Sequence, residues 1–136
     1  MTSVMYETGE NIFTTLTTLI NSENNMNICV ITGLGTILKK LSMVDKGKLT
    51  AMLGEAKNTK YIIIDTIDNI KTLSYEAWFK TNTSLSEGIW LGNGIANQFT
   101  LKVTTNSRIL RAEIEPNFGY VIKKGKAILV KFVTEP

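Results

Sequence analysis

Histidine is absent from all 136 positions. That excludes Ser-His-Asp and Cys-His catalysis, histidine-based zinc sites and imidazole acid–base chemistry. Cysteine occurs once, at Cys29, which leaves no internal disulfide; inside the apolar run NICVI it reads as a buried, quiet thiol, and a reducing compartment is the simplest setting. No apolar stretch approaches the roughly 20 residues that a bilayer crossing needs. The start, MTSVMYETGE, has neither the basic head nor the apolar centre of a secretion signal. Excess charge is small as well: 15 Lys and Arg against 12 Asp and Glu give +3, too little to call for a polyanionic partner. Lys123, Lys124, Lys126 and Lys131 do cluster, but they flank Gly125 and alternate with apolar residues, the pattern of a solvated hairpin rim. Aromatic residues interleaved for base stacking are missing there.

One more absence concerns phosphate binding. An opening strand over residues 3–6, the turn ETGEN and helical spacing through IFTTLTTLI (12–20) give a strand, glycine turn and helix, where a nucleotidase carries G-x-x-x-x-G-K-[ST]. Gly9 is the turn's single glycine, no lysine precedes the helix, and Glu7 and Glu10 place negative charge where a phosphate would dock. An acidic first helical turn that satisfies the helix dipole explains the same residues.

The composition itself, 43% hydrophobic and 20% charged, is that of one globular domain spanning 1–136. Its organising stretch is KYIIIDTIDNI, Lys60 to Ile70. Four apolar residues run without alternation into Asp65, which predicts a buried parallel strand covered on both faces and ending at the crevice where α/β proteins bind ligands. In P-loop nucleotidases such an aspartate holds Mg²⁺ and a glutamate often follows. Here Thr66 follows, so the hydrolytic base is missing, while Asp68 leaves a weak metal pair with Asp65. An aspartate that simply caps the next turn reads equally well.

MNICVIT (26–32) predicts a second inner strand. GLGTILKKL lacks a third glycine and a later acid, so it reads as a turn opening a helix, not as a dinucleotide fingerprint. Helical spacing over 36–43 and 48–57 is interrupted at Asp45, Lys46 and Gly47, and Tyr75, Trp78 and Phe79 share one side of a further helix. GIWL then runs into Gly92, Asn93 and Gly94, followed by IANQF. If that strand is parallel to the others, the turn brings Asn97 and Gln98 to the sheet edge that carries Asp65, making a ligand or partner crevice; a tight turn into another strand is the alternative. FTLKV, EIEPNFGYVIK and KAILVKFV predict short antiparallel strands at the end of the chain.

KYIIIDTIDNI, GIWLGNGIANQF and NFGYVIKKGKAILVKF together resemble, in this order, the C-terminal FtsK/SpoIIIE-type ATPase-like module of the type VII secretion coupling protein EssC. The likeness covers about residues 58–133, and its most specific part is Gly88 to Phe99. The resemblance implies a RecA-like, P-loop NTPase-like three-layer α/β domain, with a mostly parallel central sheet and an antiparallel C-terminal edge. It also implies a place at the cytoplasmic face of the cell membrane within a secretion complex, with WXG100-type secreted proteins or adjacent ATPase modules as partners. Asp65 matches the strand-end aspartate of that family, and the Gly9, Glu10, Asn11 turn falls where its phosphate loop belongs, without the lysine or the Ser/Thr. A degenerate, non-hydrolytic interaction module with no required cofactor is the expectation, with Trp90, Gly92, Asn93, Gly94, Gln98 and Phe99 as its partner-binding residues. The alternative is a weakly active ATPase that binds ATP and Mg²⁺ through Gly9, Glu10, Asn11, Asp65 and Asp68. A DNA-translocase role rests on the C-terminal lysines alone.

Overall fold

A computed structural model describes residues 13–14, 16–18, 27–55 and 58–133. The expected strand over 3–6 and the turn Gly9, Glu10, Asn11 lie outside the described residues; residues 13–14 and 16–18 are helical, with Leu16 fully buried. The chain divides after Thr83 into two compact units.

The first unit alternates strand and helix: β1 (Asn27–Thr32), α1 (Leu34–Lys40), α2 (Met43–Glu55), β2 (Thr59–Ile64), α3 (Ile67–Leu73) and α4 (Ala77–Asn82). β1 and β2 pair in parallel, with Asn27 opposite Thr59 and Thr32 opposite Ile64. A parallel pair requires a crossover, and α1 and α2 supply it. The break between these helices falls at Leu41–Ser42, not at 45–47 as the spacing implied. Ser42 explains the shift, because its hydroxyl accepts the Asp45 N–H (3.1 Å) and its carbonyl the Lys46 N–H (2.8 Å), capping α2 from its first turn.

Strand alternation sends Ile31 and Tyr61 inward to a core that includes Leu34, Leu38, Leu49, Leu53, Leu73, Trp78 and Phe79. Trp78 stands edge-on to both Tyr61 and Phe79, at 6.2 and 5.6 Å between ring centres. The opposite face corrects one expectation. Ile28, Val30, Ile62 and Ile64 are about half exposed, so the apolar run of β2 is buried on one side only. Tyr75 also departs from its predicted side, because the helix ends at Leu73 and the ring lies exposed in the turn before α4.

The second unit holds β3 (Gly88–Leu91), a 3₁₀ turn (Ile95–Asn97), the short α5 (Ser107–Leu110), β4 (Phe118–Lys123) and β5 (Lys126–Lys131). These strands form an antiparallel sheet of their own in the order β3-β4-β5. The fold is therefore α/β with two separate sheets, a parallel pair and an antiparallel triple, where one continuous sheet with an antiparallel edge was expected. GIWL pairs antiparallel with β4, Trp90 opposite Tyr120, and so is not a parallel neighbour of the strand that ends at Asp65. Lys124 and Gly125, with φ of 50° and 81°, make the two-residue hairpin turn between β4 and β5.

FTLKV forms no strand. Its backbone groups bond elsewhere: the Gln98 amide accepts the Leu101 N–H (2.7 Å) and donates to the Leu101 carbonyl, and Lys102 N–H donates to Leu85. The core of this unit is Ile95, Leu110, Tyr120 and Ile122, with Trp90, Leu101, Val103 and Ile114 packed against it.

Candidate functional site

Asp65 leaves the end of β2 and points back to the neighbouring helix. Its Oδ2 accepts the backbone N–H of Gly35 in the first turn of α1 (2.8 Å), and its Oδ1 accepts the Thr66 N–H (2.8 Å) and the Asn69 side-chain amide (2.7 Å). Asn69, one helical turn further along α3, passes the connection on: its Oδ1 accepts from Lys39 Nζ at 3.1 Å. Thr66 starts that helix, its hydroxyl accepting the Asn69 N–H at 3.3 Å. The result is a polar clamp that joins the loop after β1 to the loop after β2.

Gly35 is required by the close approach, since a Cβ there would stand 2.6 Å from the Asn69 side chain. Beside the clamp is a shallow depression lined by Gly35, Leu38, Lys39, Lys46, Asn69 and Thr72, among others. Lys46 pairs with Glu76 across its rim at 4.0 Å.

A carboxylate offers about four lone-pair positions, and N–H donors occupy three of them here. Donors converging on these oxygens make the set a structural clamp between the two loops. Asp68 is exposed on the first turn of α3. Among the described residues no group of three or more His, Cys, Asp or Glu side chains is placed to share a metal, and no helix is long and apolar enough to cross a membrane.

The second sequence-derived site, Trp90 to Phe99, lies wholly in the second unit. Gly92 and Gly94 take the positive φ expected of them, 79° and 96°. Trp90 Nε1 donates to the Asn93 carbonyl (3.1 Å), the Asn93 side-chain oxygen accepts the Ile114 N–H (3.0 Å), and Gln98 holds Leu101. These polar groups thus shape the loop itself. Phe99 differs: it is 89% exposed.

Two features escaped the sequence reading. Asn69 and Lys39 complete the clamp, and the Asp65-to-Asn69 spacing of one helical turn was the available signal. The open sheet faces were the other omission, since apolar content alone does not say which face lacks a cover. Comparison with protein-family models, with curated proteins and with solved structures gives no match to this chain.

Proposed function

We propose that this chain is a non-hydrolytic, ATPase-like interaction module that binds other proteins. The observation that carries the reading is the engagement of Asp65: the acid on which Mg²⁺-dependent hydrolysis would depend is occupied by Gly35, Thr66 and Asn69. Exposed apolar side chains, Phe99 and Leu91 among them, favour a partner over a small ligand. The setting we infer is a type VII secretion complex at the inner face of the cell membrane, with helical WXG100-type proteins or neighbouring ATPase modules as partners. It rests on the EssC-like runs at 60–70, 88–99 and 117–132. A RecA-like ancestry with a degenerate phosphate loop belongs to the same proposal.

Thermal unfolding with and without Mg²⁺-ATP tests it. A ligand present at a hundred times its Kd adds about 2.7 kcal/mol to stability. The expected result is an unchanged melting temperature up to millimolar nucleotide; a clear upward shift refutes the non-hydrolytic reading and favours a nucleotide-binding domain.

A further inference from the structure

Asparagine is followed by glycine once in this chain, at Asn93-Gly94, and Asn93 is exposed in the loop between β3 and the 3₁₀ turn. The backbone nitrogen after an asparagine can attack the side-chain amide carbon and close a five-membered ring. Glycine permits this best, because it has no Cβ to block the approach. Three groups take part: Cγ of Asn93, its leaving nitrogen Nδ2 and the attacking nitrogen of Gly94.

The loop treats the three differently. Oδ1 of Asn93 accepts the Ile114 N–H at 3.0 Å. As the ring closes that oxygen takes up negative charge, and a donor already aimed at it stabilises the charge without reorganisation. Nδ2 of Asn93 and the Gly94 N–H donate to no group among the described residues, so neither the leaving group nor the nucleophile is held back. The backbone on either side is fixed, with Trp90 Nε1 donating to the Asn93 carbonyl (3.1 Å) and the Asn97 N–H to the Gly94 carbonyl (3.0 Å). Asn106-Ser107 supplies a contrast within the same unit. The Asn106 side-chain oxygen also accepts a backbone N–H, from Arg108 at 2.9 Å, but the nucleophile there belongs to Ser107, which carries a Cβ and lies in the first turn of α5.

We propose that Asn93 is a site of spontaneous deamidation in the folded protein, with the Ile114 amide as its oxyanion donor. Hydroxide removes the Gly94 amide proton, and the nitrogen bonds to Cγ. The Cγ–Nδ2 bond breaks, and Nδ2 takes a proton from water and leaves as ammonia. Water then opens the imide at either carbonyl. The net change is asparagine and water to aspartate or isoaspartate and ammonia, with nothing oxidised or reduced. Aspartate keeps an oxygen for the Ile114 N–H and adds one negative charge to the turn. Isoaspartate routes the main chain through Cγ, lengthens it by a methylene and turns the carbonyl that Trp90 Nε1 uses into a free carboxylate. The step needs no partner, nucleotide or metal, so it stands independently of the interaction-module reading.

The test incubates the whole chain at mildly alkaline pH beside a free LGNGIAN peptide in the same buffer, followed by intact mass, peptide mapping and detection of isoaspartate by protein isoaspartyl methyltransferase. A gain of about one dalton, confined to Asn93 and no slower than in the peptide, is expected. Asn93→Gln keeps an amide but would have to close a six-membered ring, so its mass should hold. Ile114→Pro removes the N–H and should slow the gain about three- to tenfold. Circular dichroism shows whether that variant folds; if it does not, the comparison with the peptide decides alone. The proposal is overturned by an unchanged mass once the peptide has converted, by a rate well below the peptide's, by equal conversion at Asn106, by a gain that appears only in urea, or by an undiminished rate in folded Ile114→Pro.

Discussion

Asp65 ties the loop after β1 to the loop after β2, and its position was legible because a run of apolar residues ending in an acid is a local pattern. What it holds was not legible. Gly35 lies 30 residues earlier, and nothing in the spacing pairs the two. Replacing Asp65 with Ala strips acceptors from the Gly35 N–H and the Asn69 amide, both part-buried. Hydrogen bonds to a charged group contribute about 1.5–3 kcal/mol each, so a loss of about 2–4 kcal/mol is expected in urea unfolding, with m unchanged. Addition of Mg²⁺ should not alter the parent's midpoint. Tyr61 makes a second prediction at this scale. Its hydroxyl donates to the Leu53 carbonyl at 2.9 Å, and burial, then the nearby Cys29 thiolate, raise its pKa well above the ordinary 10.0. Burial likewise raises Cys29 above 9.0. A raised folded-state pKa contributes stability that is complete below the unfolded value and fades as pH climbs beyond it. Stability should therefore fall from about pH 9–10 upward. Tyr61→Phe should move the alkaline unfolding midpoint higher while costing about 1 kcal/mol at neutral pH through the lost hydrogen bond.

At the level of strands and helices, existence was easier to read than partnership. GIWL and KAILVK announced themselves as strands through β-branched and aromatic content, and the Lys124-Gly125 turn announced the hairpin. That β3 would find β4, some 30 residues later, and form a sheet apart from β1 and β2 had no local signal, because pairing is set by tertiary contacts. FTLKV shows the same limit: it carries strand propensity, yet the Gln98 side chain already holds the Leu101 backbone. Tyr75 was misplaced because helical spacing was carried across a real helix end. Gly119 is the hinge of the antiparallel sheet's packing, for a Cβ there would run into the Trp90 carbonyl and the Phe132 ring. Gly119→Val should therefore detach β3, at a cost of at least about 1–3 kcal/mol. Hydrogen exchange is the measurement: the Gly92 amide, which donates to Phe118, should lose protection while the amides of β1 and β2 keep theirs.

For the molecule as a whole, the division after Thr83 places one tryptophan in each unit, Trp78 before it and Trp90 after it. Each unit thus has its own reporter. Trp78→Phe sacrifices no hydrogen bond, since Trp78 Nε1 has no partner among the described residues, and leaves Trp90 to report on the second unit; Trp90→Phe does the reverse. The second unit gathers its core from four fully committed side chains, Ile95, Leu110, Tyr120 and Ile122, and small cores are marginal. Fluorescence-detected denaturation of the two variants should give separate midpoints, the lower one belonging to the variant that retains Trp90. Coincident midpoints would show that the units unfold as one block.

The uncovered isoleucines of β1 and β2 carry a practical consequence for anyone handling the purified chain. Environment-sensitive dyes such as ANS ordinarily light up on partly collapsed states, yet here the native parallel pair itself offers them an apolar face, so bright dye fluorescence at low temperature is no sign of misfolding.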